Sequence, residues 1–158
     1  MDVKEFLRGL EAFCELSDEE LERLVKLAKL RHVKAGEMVD IQGQPADKFY
    51  ILVNGRLGVV LDLDFGVTKR SYLVTSIGPG EMFAWSGMVG NPHYTASGKT
   101  LADSTVIEFD AKELEKEFAE DPKLGFAVMR GVAKTIASRL RHMQLQLVRE
   151  YALRESEE

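Results

Sequence analysis

Apolar positions change their period twice along the chain. Val3, Phe6, Leu7 and Leu10 recur at i, i+3, i+4 and i+7, the spacing that lines one helical face. Helix is therefore predicted over residues 2–30, with a second start at Leu16-Ser17-Asp18-Glu19-Glu20-Leu21. There the Ser17 hydroxyl can cap the Glu20 amide while the Glu20 carboxylate returns to the Ser17 amide, and Leu16 and Leu21 occupy the staple positions. Leu21, Leu24, Val25 and Ala28 continue the stripe. Cys14, beside Phe13, is expected to be a buried structural cysteine.

Residues 31–109 read differently. Short apolar runs are cut by Gly36, Gly43, Gly55, Gly66, Gly78 and Gly80, the punctuation of an antiparallel β unit. Phe49-Tyr50-Ile51-Leu52-Val53 and Arg56-Leu57-Gly58-Val59-Val60-Leu61 flank Asn54-Gly55, which accepts the positive φ angles of a type I′ turn, so these two strands are predicted to pair as a hairpin. Asp64-Phe65-Gly66 and Gly78-Pro79-Gly80 are further turns. Tyr94–Leu101 and Thr105–Phe109 are the last two strands. The expected class is mainly β with flanking helices: an antiparallel, jelly-roll-like β-roll of about eight strands, an N-terminal helix pair and a long C-terminal helix.

Helical spacing returns at residue 110. Asp110 and Glu113 form a capping pair, with Phe109 and Leu114 as staple. Asp121-Pro122 opens another helix, an Asp cap with Pro at N1. Its pattern runs to about Leu153, about 48 Å at 1.5 Å per residue, longer than its own domain can cover. Ala133, Ile136, Leu140, Met143 and Leu147 step by 3, 4, 3 and 4, a heptad seam. Either the helix packs wholly on its own domain, or its distal half pairs with a second copy to make a homodimer. The second is favoured because Leu147 and Tyr151 otherwise lack a partner. Residues 1–120 are thus the helices and roll, and residues 121–158 the long helix of the same domain.

Composition narrows the function. The 158 residues carry a formal net charge of -5, from 21 Lys and Arg against 26 Asp and Glu, which disfavours neutralising nucleic-acid phosphates. One cysteine excludes a disulfide framework and a multi-cysteine metal site. No apolar run reaches a membrane span, and the charged start Met1-Asp2-Val3-Lys4-Glu5 is not that of a secretory signal, so a cytoplasmic location away from membranes is expected. Ser97-Gly98-Lys99-Thr100 ends like a phosphate loop, but His93 stands where its first glycine belongs. His32, His93 and His142 fall in separate segments without ligand spacing. No residue pattern argues for catalysis, a metal or a cofactor.

Several segments together resemble the cyclic-nucleotide-binding domain of the Crp/Fnr type, over roughly residues 6–150. They are Phe13-Cys14-Glu15-Leu16-Ser17, Ala35-Gly36-Glu37-Met38-Val39, the run from Gly43 to Gly55, and Gly78-Pro79-Gly80-Glu81-Met82-Phe83. The resemblance implies a phosphate-binding cassette after Gly80, where a short helix presents its amides to the cyclic phosphate. It also implies a Glu for the ribose and an Arg for the phosphate. Here Trp85 stands at the Glu position and Tyr94 at the Arg position, so the cassette is degenerate. His93 and Lys99 are poor replacements, the first one position off and the second facing away from Tyr94 in a regular strand.

By this resemblance the ligand-contacting positions are Phe83, Ala84, Trp85, Ser86, Tyr94 and Thr95, with Met143 and Gln144 from the long helix. Trp85 is either core or pocket wall, and the Tyr94 hydroxyl either faces a ligand or finds a backbone partner. The expected function is a non-catalytic sensor of an unidentified small molecule that binds cyclic nucleotides weakly or not at all. The alternative is a protein-interaction module whose pocket is filled by its own side chains. Family transcription factors carry a helix-turn-helix after the long helix. Residues 121–158 hold seven basic and five acidic residues and no second recognition helix, so DNA readout through this chain is not expected.

Overall fold

The computed structural model describes residues 1–156. The chain runs α1 (Val3–Arg8), a 3-10 turn (Glu11–Phe13), α2 (Asp18–Leu27), then strands β1 (Lys29–Val33), β2 (Met38–Asp40), β3 (Lys48–Asn54), β4 (Leu57–Asp64), β5 (Lys69–Ile77) and β6 (Met82–Phe83). A second 3-10 turn (Ser86–Val89) precedes β7 (Ser97–Thr100), β8 (Ser104–Asp110), α3 (Ala111–Glu120) and α4 (Pro122–Glu155). Two four-stranded antiparallel sheets result, in the orders β1-β8-β3-β6 and β2-β7-β4-β5. This is the expected β-roll with flanking helices.

The N-terminal half is less uniformly helical than its spacing suggests. α1 stops at Gly9, and β1 already begins at Lys29, pairing with Glu108 of β8. The Ser17–Glu20 capping box forms in both directions, at 3.2 and 3.1 Å, and Leu16 and Leu21 are buried beside it. Cys14 is exposed, contrary to expectation. It follows the 3-10 turn, so Phe13 takes the inward direction instead.

β3 is the wall between two cores. Phe49, Ile51 and Val53 point to the layer of α1, α2, α3 and α4, with Leu7, Leu24, Leu114 and Val128. Tyr50 and Leu52 point the other way, to Leu57, Ile77 and Phe83 between the sheets. Burial on both faces explains the unbroken apolar run. It also corrects the hairpin expectation: β3 and β4 lie in different sheets. Asn54 pairs with Thr105 and Leu57 with Ile77 and Thr100. Gly55, at φ +91°, carries the chain from one sheet to the other, and a Cβ there would lie 2.6 Å from the Asp103 carbonyl oxygen.

The true hairpin is β4–β5. Asp64 pairs with Lys69, and the Phe65 amide donates to the Thr68 carbonyl at 2.9 Å. α4 starts from Asp121, whose carboxylate accepts the Leu124 amide, and runs for 34 residues. Its first turns are buried through Leu124, Val128 and Val132. Gly131 lets it lie against the 3-10 turn and β6, since a Cβ would come 2.9 Å from the Ala12 Cβ. Beyond Arg139 it leaves the domain: Leu140, Met143, Leu147 and Tyr151 are exposed.

Candidate functional site

A cavity of about 60 Å³ lies where the sequence places the cassette. Phe83, Ala84, Trp85, Ser86, Tyr94 and Thr95 all line it. Ala84 turns the chain out of β6 through left-handed backbone, at φ +56°, a conformation that costs a non-glycine residue free energy and is found where surroundings enforce it. Trp85 follows half-buried and packs against the helix-side core. Ser86 is buried and starts the short turn.

Tyr94 does not lie within a strand; it precedes β7, held by its amide to the Gln44 carbonyl at 3.0 Å. Its hydroxyl donates to the Lys48 carbonyl at 2.8 Å and accepts the Lys48 amide at 3.0 Å. Both capacities are therefore spent on β3. Burial pushes the phenol up to about 12, so it remains protonated at neutral pH. His93 and Lys99 are exposed and lie outside the lining. Met143 and Gln144 are exposed too, further along α4 than the cavity reaches in the single chain.

Among the lining residues that escape the sequence reading, two are charged. Arg139 reaches back from α4: its Nη2 donates to the Met82 carbonyl at 3.1 Å, and its guanidinium sits 4.3 Å from the Trp85 ring centroid. That is a cation–π stack on the richest of the aromatic faces. Burial pulls its pKa below the usual arginine range, against the opposing attraction of Glu81 and Asp40. Asp40, at the end of β2, is 7% exposed. Its Oδ1 is buried and accepts no hydrogen bond among the described residues. Burial pushes this carboxyl up to about 7, although the Gly98 and Asp40 amides and Arg139 pull it down. Arg139 carried one sequence signal, a charge one helical turn beyond the half-buried Ile136. Asp40 carried none, because a carboxylate after Met38-Val39 reads as a strand end.

The fold is the β-roll of a cyclic-nucleotide-binding domain of the Crp/Fnr type. The chain belongs to the cyclic nucleotide-binding domain family, whose model matches residues 30–121. It is 25% identical over 135 residues to an uncharacterised NTE-family protein of Mycobacterium tuberculosis, covering 85% of this chain and 22% of that protein. It is 25% identical over 101 residues to the CRP-like cAMP-activated global transcriptional regulator of the same species, covering 64% of this chain and 44% of the regulator. In fold it resembles a cyclic nucleotide-binding domain from Methylobacillus flagellatus, with a TM-score of 0.79 at 18% identity over 94% of this chain and 82% of that one. The chain thus spans about a fifth of the NTE-family relative, 22%. Among the described residues no helix is long and apolar enough to cross a membrane.

Proposed function

We propose that the chain is a non-catalytic regulatory sensor domain whose cavity does not hold cyclic AMP or cyclic GMP tightly. One observation carries this reading: the cavity measures about 60 Å³, against roughly 300–1,000 Å³ for small-molecule sites. Two of its polar groups are engaged within the chain, the Tyr94 hydroxyl with Lys48 and Arg139 on Trp85. Losing a charge-assisted bond to phosphate costs about 1.5–3 kcal/mol. Losing the ribose anchor adds to that, so affinity falls by roughly two to four powers of ten.

The greater length of the relatives supports a module that hands its state to an attached effector. The exposed seam of Leu140, Met143 and Leu147 supports a homodimer through α4. The exposed unpaired thiol of Cys14 suits the reducing cytoplasm. Trp85 is the only tryptophan, so its emission reports directly on the cavity. Titration with micromolar cyclic AMP or cyclic GMP is expected to change neither emission nor heat. Micromolar affinity, with the sugar-phosphate seated at the cassette, would overturn the reading. A second reading, an interaction module with a self-filled pocket, draws on Arg139 closing over Trp85. Uptake of a small molecule once Arg139 is removed separates the two.

A further inference from the structure

The Arg139 guanidinium sits on an acceptor and an aromatic face. The Met82 carbonyl is an acceptor and holds an Arg139 N–H at 3.1 Å. Asp40 Oδ1 is a buried acceptor with no donor among the described residues. The Trp85 face carries the negative side of its quadrupole. Ser97 Oγ accepts the Gln42 amide at 2.8 Å, and the Tyr94 hydroxyl both donates to and accepts from Lys48. Among the described residues the charged groups in the wall are Asp40 and Arg139. With Arg139 set aside, its seat offers the Met82 carbonyl and the Trp85 face, and the cavity wall adds the Asp40 carboxyl.

We propose that this cavity is a cation site, filled in the free protein by the Arg139 side chain, and that its ligand is a small planar N–H cation of the guanidinium or amidinium class that competes with Arg139. The proposal rests on the sensor reading above and names the class of its ligand. Planarity follows from the stack on Trp85, and N–H donors from the Met82 carbonyl and the orphan Asp40 oxygen. A way in exists. Arg139 also lines a solvent-open cleft of about 420 Å³, with Thr75 and Ser76 of β5 and Ser138 and His142 of α4. The guanidinium can turn into that cleft and stay hydrated while a ligand takes its place. Asp40 titrates near 7, and a bound cation holds it ionised.

Arg139→Ala empties the seat. The probe is methylguanidinium chloride at millimolar concentration, with sodium benzoate and cyclic AMP as parallel arms at matched ionic strength. Methylguanidinium is expected to raise the Tm of Arg139→Ala by about 3–6 °C once it exceeds its Kd about tenfold, with a change in Trp85 emission. Benzoate and cyclic AMP are expected to do neither. The unmodified protein should need more probe for the same rise, since its site is open only while Arg139 is out. Adding Asp40→Asn to Arg139→Ala should abolish the rise. No rise, a rise that survives in the double variant, or a rise with benzoate overturns the cation site and leaves the sensor reading standing. A rise with cyclic AMP overturns the sensor reading and the cation site with it. Should Arg139→Ala fail to fold, Arg139→Gln carries the same measurements.

Discussion

Asp40 is the residue at which burial and charge conflict most. Its carboxyl is raised to about 7 in the folded chain, whereas an unfolded aspartate titrates near 3.9. Between those values the native state keeps a proton that the unfolded chain has released. Stability therefore falls as pH rises through that window and levels off above it. Asp40→Asn removes the titration while keeping the shape. Its stability relative to the parent is expected to grow by about 2 kcal/mol between about pH 5 and about pH 8, read as a widening Tm gap in thermal melts at the two pH values. A gap independent of pH would show that the carboxyl is not raised. Trp85 and Tyr94 were legible as departures from a family pattern. Asp40 and Arg139 were not, because 99 positions separate them in the chain and only the fold puts them in one wall.

At the scale of elements, local chemistry was readable and long-range pairing was not. Ser17 with Glu20, and Asp121 before Pro122, announced their helices through side-chain caps that act within one turn. Asn54-Gly55 announced positive φ with equal clarity, and Gly55 adopts it. Nothing local, however, says which strand receives the chain afterwards. β4 is claimed by β5 and β7, and that choice is made by residues up to Thr100. The run Phe49–Val53 held the better clue, since a strand buried on both faces sits inside its sheet. Gly55→Ala combines a strained φ with a clash against the Asp103 carbonyl. It is expected to cost at least about 2 kcal/mol, seen as a lower denaturation midpoint with an unchanged m-value. A neutral result would mean that the crossing relaxes easily.

For the molecule as a whole, α4 joins what the domain holds to what it presents. Its first half is core, through Leu124, Val128 and Val132, and its distal half is an exposed apolar stripe. Met143→Lys puts a charge into that stripe one helical turn past Arg139. Sedimentation is expected to find a dimer for the parent chain and a monomer for the variant, because a buried unpaired ammonium cannot be desolvated cheaply. An unaltered dimer would remove α4 as the interface. The helix and its length were legible from spacing alone. That its near end seals a cavity was not, since the seal is made by one side chain folding back onto β6.

From Arg139 to the end of α4 at Glu155 the rod extends about 24 Å past its last hold on the domain. On the proposal that a ligand displaces Arg139, it would act as a lever with its fulcrum at Trp85. A tilt of about 5° there sweeps the far tip through about 2 Å by simple trigonometry on that length. A guanidinium stepping off the indole ring would thereby be magnified into a displacement at that far tip.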